Sequence, residues 1–175
     1  MNKSDTNKLS DIVDQLGFNG PFIISLIVIY LLRNIPSDGL KWNILNLQGF
    51  NTPYLWAFML GSGINIVFNK LLKMVFKDPR PQTHDNYLGA EQYGMPSGHA
   101  QIAFFAITFY YLVKKHWTNT ILLLFLTVVA LTSITLYQRY AYKYHTLEQL
   151  LAGAVTGSAF AWFIVNGTRQ YLTSI

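Results

Sequence analysis

The stretch WTNTILLLFLTVVALTSITLYQ, residues 117–138, runs directly into RYAYKYHTLEQ, residues 139–149. The first piece contains no Asp, Glu, Lys, Arg or His, and its length matches the roughly 20 apolar residues a helix needs to cross the hydrocarbon of a bilayer. The second piece is a compact polar cluster that holds Arg139 and His145. An apolar run that ends in a cluster of side chains suited to gripping phosphate sets the pattern for the rest of the chain.

The same alternation recurs along the sequence. Further uncharged intervals span Gln15 to Leu32, Trp42 to Asn69, Gln92 to Val113 and Gln149 to Thr168. Of the 175 residues, 51% are hydrophobic and 12% charged, against about 25% charged in an ordinary soluble domain. A soluble helical core would have to hide five apolar stretches inside one small domain. The expected fold is therefore all-α, a polytopic transmembrane helix bundle of about five spanning helices, forming one domain over residues 1–175.

Punctuation residues set the expected boundaries. Asn19, Gly20 and Pro21 read as the opening of the first helix, and Arg33 through Gly39 as its close. The polar leader Met1 to Asp14 lacks the basic start and small-residue cleavage pattern of a secretory signal, so the first helix is expected to be retained. Residues 41–52 alternate apolar side chains with Asn and Gln and suggest an interfacial helix. The second spanning helix is expected from about Pro53 to Phe76, with Asn65 and Asn69 turned into the bundle. The third begins near Ser97, the fourth covers Trp117 to Tyr137, and the fifth opens at His145 or Thr146. Thr146 and Gln149 there have capping-box spacing.

The net charge of +5 forms no continuous basic stripe, which argues against a nucleic-acid partner. With no cysteine, disulfides and thiolate metal sites are excluded. No metal site and no cofactor is expected.

If the helices fold back and forth, three polar clusters reach one membrane face. These are Lys73 with Arg80 and Pro81, then Pro96 to His99, then Arg139 with His145. Pro-Ser-Gly-His at a helix start is an anion site in outline. Proline suits the first turn, glycine lets the backbone approach, and free N–H groups point outward. Arg80 and Arg139 offer planar forks to phosphoryl oxygens, and Lys73 a point charge. His99 and His145 supply a nucleophile and a proton donor.

The ordered set resembles the type 2 phosphatidic acid phosphatase superfamily of membrane lipid phosphatases. Its signature is Lys, six residues, Arg-Pro; then Pro-Ser-Gly-His; then Ser-Arg, five residues, His, three residues, Asp. Lys73 and Arg80-Pro81 match the first part, residues 96–99 the second, and Arg139 and His145 the third. Pro-Ser-Gly-His should arise by composition only about once in 100,000 positions. The likeness covers roughly residues 65–164, and it departs from the pattern at Gln138, for Ser, and at Gln149, for Asp. Tyr93-Gly94-Met95-Pro96-Ser97, His99, Gln101, Tyr144-His145-Thr146 and Gln149 look most like the dolichyldiphosphatase branch.

The resemblance implies that His145 is the nucleophile, His99 the proton donor and Gln149 the residue that orients His145; by position along the helix, Glu148 is a less favoured helper. It also implies that Lys73, Arg80, Ser97, Gly98 and Arg139 bind phosphate. The implied substrate is a polyisoprenyl diphosphate, and the implied location is the endoplasmic reticulum membrane with the site facing the lumen. A surplus of Arg33, Lys41, Lys114, Lys115 and Arg169 over Asp38 on the opposite side agrees with that orientation. The alternatives are a broad-specificity lipid phosphate phosphatase, acting on phosphatidate, phosphatidylglycerophosphate or undecaprenyl diphosphate, and a catalytically weak lipid-phosphate binding protein.

Overall fold

The computed structural model describes residues 3–33, 53–82, 89–114 and 117–173. The expected interfacial helix at 41–52, and the loop residues His84 and Asp85, lie outside the described residues. The described chain is helical. It contains α1 (Lys3–Arg33), α2 (Pro53–Phe76), a 3₁₀ turn (Gly89–Gln92), α3 (Gly98–Val113), α4 (Asn119–Ala141) and α5 (Leu147–Thr173). Among the described residues, the strand-like pairing is confined to an isolated antiparallel bridge between Pro79 and Tyr93.

Among the described residues, four helices are long and apolar enough to cross a membrane: Ser10–Arg33 within α1, α2, α4 and α5. The fifth, α3, has 16 residues, a length of about 24 Å at 1.5 Å per residue. It is the enclosed centre of the bundle, packed by α1, α2, α4 and α5. Its Ala100, Ala103, Phe105, Ala106, Phe109, Tyr110 and Val113 are all buried.

The start of α1 corrects the sequence reading. The helix does not open at Asn19-Gly20-Pro21 but runs through it, with Pro21 in its interior. Proline removes the N–H that would bond the Gly17 carbonyl, which ordinarily costs about 3 kcal/mol. Packing against α4 holds the helix together at this point. A Cβ at Gly17 would overlap the Gln138 side chain, and one at Gly20 would overlap Thr135. The glycines serve close helix contact, not a turn. Polar bonds extend the pairing toward the N-terminus: Gln138 Nε2 donates to Asp14 Oδ1 at 2.7 Å, and Ser10 Oγ lies 2.9 Å from the Tyr142 hydroxyl.

The bundle divides along its length. Ile24, Val28, Leu31 and Leu32 of α1, Leu55 and Phe58 of α2, Phe105 and Phe109 of α3, Val128 of α4 and Ala161 and Val165 of α5 form the apolar core. All but Phe105, at the middle of α3, lie in the helix halves distant from the polar clusters. Nearer the clusters, Gln101 is fully buried and ties three helices together. Its Nε2 donates to Asn65 Oδ1 (2.8 Å), and its Oε1 accepts from Asn69 Nδ2 (2.8 Å) and Thr156 Oγ1 (3.2 Å). Asn65 and Asn69 do face the interior. With no water to satisfy them in hydrocarbon, these amides pair with one another and fix the helix register.

The contact between α3 and α5 is the most extensive in the fold. It depends on Gly153, which faces the Ser97 carbonyl and the Ala100 methyl, and on Gly157, which faces the Gln101 carbonyl. Gly157→Ala drives a methyl into backbone, so it is expected to destabilise the bundle by about 1–3 kcal/mol, an overpacking cost. Gly167→Ala, with open space around it, should leave stability equal or slightly raised through helix propensity. Thermal unfolding of both variants in detergent checks the pair.

Candidate active site

Helix α2 ends, α3 begins, α4 ends and α5 begins at the same end of the bundle, so the three polar clusters meet. The chain between α2 and α3 folds back on itself through the Pro79–Tyr93 bridge and a Gly94 N–H bond to the Asp78 carbonyl (2.7 Å). This closure carries Arg80 to the start of α3. Between α4 and α5 the turn is tight. The Arg139 carbonyl accepts from the N–H groups of Tyr144 (3.0 Å) and His145 (3.1 Å), and Lys143 sits at φ 57°. The expected capping box forms: Thr146 Oγ1 accepts from Gln149 N at 3.3 Å, and Gln149 Oε1 from Thr146 N at 3.2 Å.

A cavity of about 290 Å³ occupies this end, lined by Lys73, Arg80, Gly98, His99, Arg139 and His145, with Phe18, Ile66, Asn69, Lys70, Glu91 and Ile102. Six of the eight residues singled out from the sequence therefore face one space. The other two are buried beside it: Ser97, whose N–H bonds the Gln149 carbonyl (3.0 Å), and Gln149, behind His145.

His145 has defined partners on both ring nitrogens. Nδ1 lies 3.0 Å from Gln149 Oε1, and Nε2 faces the cavity 3.2 Å from Arg80 Nη1. Glutamine Oε1 can only accept, so Nδ1 carries the proton and Nε2 presents a lone pair. Burial, followed by the Arg80 charge, holds the His145 pKa down to about 3, against the opposing pull of the Gln149 bond. The ring is thus neutral across the physiological range.

The cations converge on one carboxylate. Lys73 Nζ, on a side chain only 2% exposed, lies 3.2 Å from Glu91 Oε2, and Arg80 Nη2 lies 3.6 Å from the same oxygen. Arg80 Nε also donates to the Glu91 carbonyl at 2.9 Å, and Nη1 to the Tyr144 carbonyl at 3.3 Å. An anion already sits between two groups expected to hold phosphate. Arg139 contacts His99 Nε2, and its guanidinium lies 4.9 Å from the Tyr144 ring centre. At that distance the guanidinium and the ring attract through a cation–π contact. Asn69 Nδ2 donates to the Pro96 carbonyl (3.2 Å), holding the loop that presents Gly98 and His99.

The sequence reading misses several residues of this site. Phe18 of α1 lines the cavity, its carbonyl 3.2 Å from His99 Nε2 and its ring 5.6 Å from the Arg139 guanidinium. Glu91 and Asp78 stand in the sequence only as loop charges. Glu148 is exposed, and Gln149 holds the place beside the His145 ring. No periodicity links position 18 to position 99, and only the fold brings them together.

Known proteins of similar sequence bear on this geometry. A family model described as the PAP2 superfamily matches residues 54–171. Dolichyldiphosphatase 1 of Mus musculus is 34% identical over 132 residues, covering 68% of this chain and 55% of the relative. Dolichyldiphosphatase of Saccharomyces cerevisiae is 33% identical over 123 residues, 63% of this chain and 51% of the relative. Lipid phosphate phosphatase epsilon 2, chloroplastic, of Arabidopsis thaliana is 35% identical over 115 residues, 63% of this chain and 38% of the relative. The chain thus spans about half the length of the dolichyldiphosphatases it matches. No solved structure matches. Among the described helices, the family match takes in each one that carries a cluster and leaves out α1, whose Phe18 completes the cavity wall. The chain belongs to the PAP2 superfamily.

Proposed function

We propose that this protein hydrolyses the terminal phosphate of a polyisoprenyl, dolichyl-type diphosphate to the monophosphate and inorganic phosphate, through a phosphohistidine on His145. The observation that carries the proposal is the His145 Nε2 lone pair turned into a cavity ringed by Lys73, Arg80 and Arg139. In the first step the Nε2–phosphorus bond forms and the bond from phosphorus to the bridging oxygen breaks. His99 gives a proton to the departing lipid phosphate. Lys73, Arg80 and Arg139, with Ser97 and the Gly98 N–H, hold the equatorial oxygens. Water, deprotonated by His99, then attacks the phosphohistidine. Inorganic phosphate leaves and His145 is restored. Substrate enters by displacing the Glu91 carboxylate from Lys73 and Arg80.

The anhydride is preferred over a monoester for a chemical reason. A neutral Gln149 stabilises the developing imidazolium less than a carboxylate would, and a departing phosphate asks less of its nucleophile than a departing alkoxide. The names of the relatives from mouse and yeast support the same substrate class. In this reading the protein resides in the endoplasmic reticulum membrane with the cavity toward the lumen. The clustering of Arg33, Lys114 and Arg169 at the other end supports that orientation. Its partners are lipids.

Phosphate release from dolichyl diphosphate, undecaprenyl diphosphate and phosphatidate in one detergent tests the proposal. A kcat/KM for the diphosphates at least about tenfold above that for phosphatidate is expected, the effect of roughly 1.4 kcal/mol in the barrier. Equal rates would favour the broad-specificity reading. Binding without release from any of the three would leave a lipid-phosphate binding protein.

A further inference from the structure

We infer that Asp78 is a positioning residue for His145, acting through the Gln149 amide, and that it supplies at one remove the negative charge missing from position 149. The inference rests on the proposed nucleophilic role of His145.

Every hydrogen-bonding position of the Gln149 amide is occupied. Its Nε2 donates to Asp78 Oδ2 at 2.5 Å and to the Pro79 carbonyl at 2.8 Å. Its Oε1 accepts from the Thr146 N–H at 3.2 Å and from His145 Nδ1 at 3.0 Å. The main-chain N–H of Thr146 can only donate, and the carboxylate and carbonyl can only accept. A flipped amide would face donor with donor on one side and acceptor with acceptor on the other. Asp78 and Pro79 therefore fix which way the amide points. The amide in turn fixes the proton on His145 Nδ1 and leaves the lone pair on Nε2.

The surrounding chain is built for this contact. A Cβ at Gly94 would overlap the Gln149 amide, so only glycine allows the loop to close over it. The same Gly94 donates its N–H to the Asp78 carbonyl. Asp78 stands two residues before Arg80, so one short segment sets both the charge in front of His145 and the charge behind it.

As the Nε2–phosphorus bond forms, positive charge spreads over the ring toward Nδ1. The Gln149 carbonyl dipole, polarised by the carboxylate on its far side, meets that charge. Hydrogen bonds in series strengthen one another in this way where water is excluded.

Charge exchange between the two positions tests the role. Asp78→Asn should lower kcat about ten- to a hundredfold, the usual range for a residue that orients a reacting group through another. KM should stay within about threefold, because the cavity cations are untouched. Gln149→Glu alone sets two carboxylates face to face and should also lower kcat. The double variant Asp78→Asn/Gln149→Glu moves the charge next to Nδ1 and lets the amide introduced at position 78 hold it. It should recover kcat at least about tenfold above the product of the two singles, though short of the parent because the Pro79 carbonyl then faces a carboxylate oxygen, and this recovery also shows that the bundle is folded. An Asp78→Asn enzyme with parental kcat overturns the inference, as does a double variant as poor as the product of the two singles. If the parent releases no phosphate, or if His145→Ala releases it at the parental rate, the nucleophile proposal fails and this inference with it.

Discussion

His145→Ala should reduce phosphate release by about 10⁴-fold or more, the scale seen when the nucleophile of a covalent mechanism is removed. Alanine leaves no atom that can bond to phosphorus. Affinity for the lipid phosphate should change only a few-fold, because Lys73, Arg80 and Arg139 remain. Arg80 even loses a competing partner, the Nε2 that lies 3.2 Å from its Nη1. Steady-state phosphate release together with binding of a non-hydrolysable diphosphate separates the two quantities. Loss of both together would mean that His145 supports the site's structure and does not react.

Arg80→Ala should give the second largest effect, a fall in kcat of about 10²–10³-fold, comparable to removing one donor that stabilises a charged transition state. Arg80 is the hub of the site, touching Glu91 through two groups, the Tyr144 carbonyl and His145 Nε2. Its fork spans the gap between the first and third clusters. Arg80→Lys should restore only a small part of the loss, because an ammonium cannot bridge two oxygens in a fixed plane. Full recovery with lysine would show that only net charge matters there.

Much of the fold is legible because the signals are local. The α2 bounds, Pro53 to Phe76, follow from an apolar run between polar loops, and the capping box at Thr146 and Gln149 from a three-residue spacing. The inward turn of Asn65 and Asn69 follows from the cost of exposing amides to lipid. The start of α1 fails for an instructive reason. Gly-Pro reads as a chain break, but Gly17 and Gly20 exist to admit Gln138 and Thr135 of α4, more than a hundred positions away.

The site divides in the same way. Lys73, Arg80, His99, Arg139, His145 and Gln149 can be named because a linear signature carries them, and the helix alternation explains why they meet. Phe18, Asp78 and Glu91 carry no such signature. Gln149 and Asp78 are 71 positions apart, and nothing in either neighbourhood announces the contact.

In the proposed mechanism the three polar clusters gather around one phosphorus, with His145 Nε2 aimed at it. Trapping the intermediate tests this most directly. Substrate labelled in its terminal phosphate is mixed with enzyme, quenched in alkali within milliseconds and digested. Label is expected on the peptide that contains His145, stable to alkali and released by acid, and absent from His145→Ala. Label on another residue, or turnover with no labelled protein at any quench time, would contradict it.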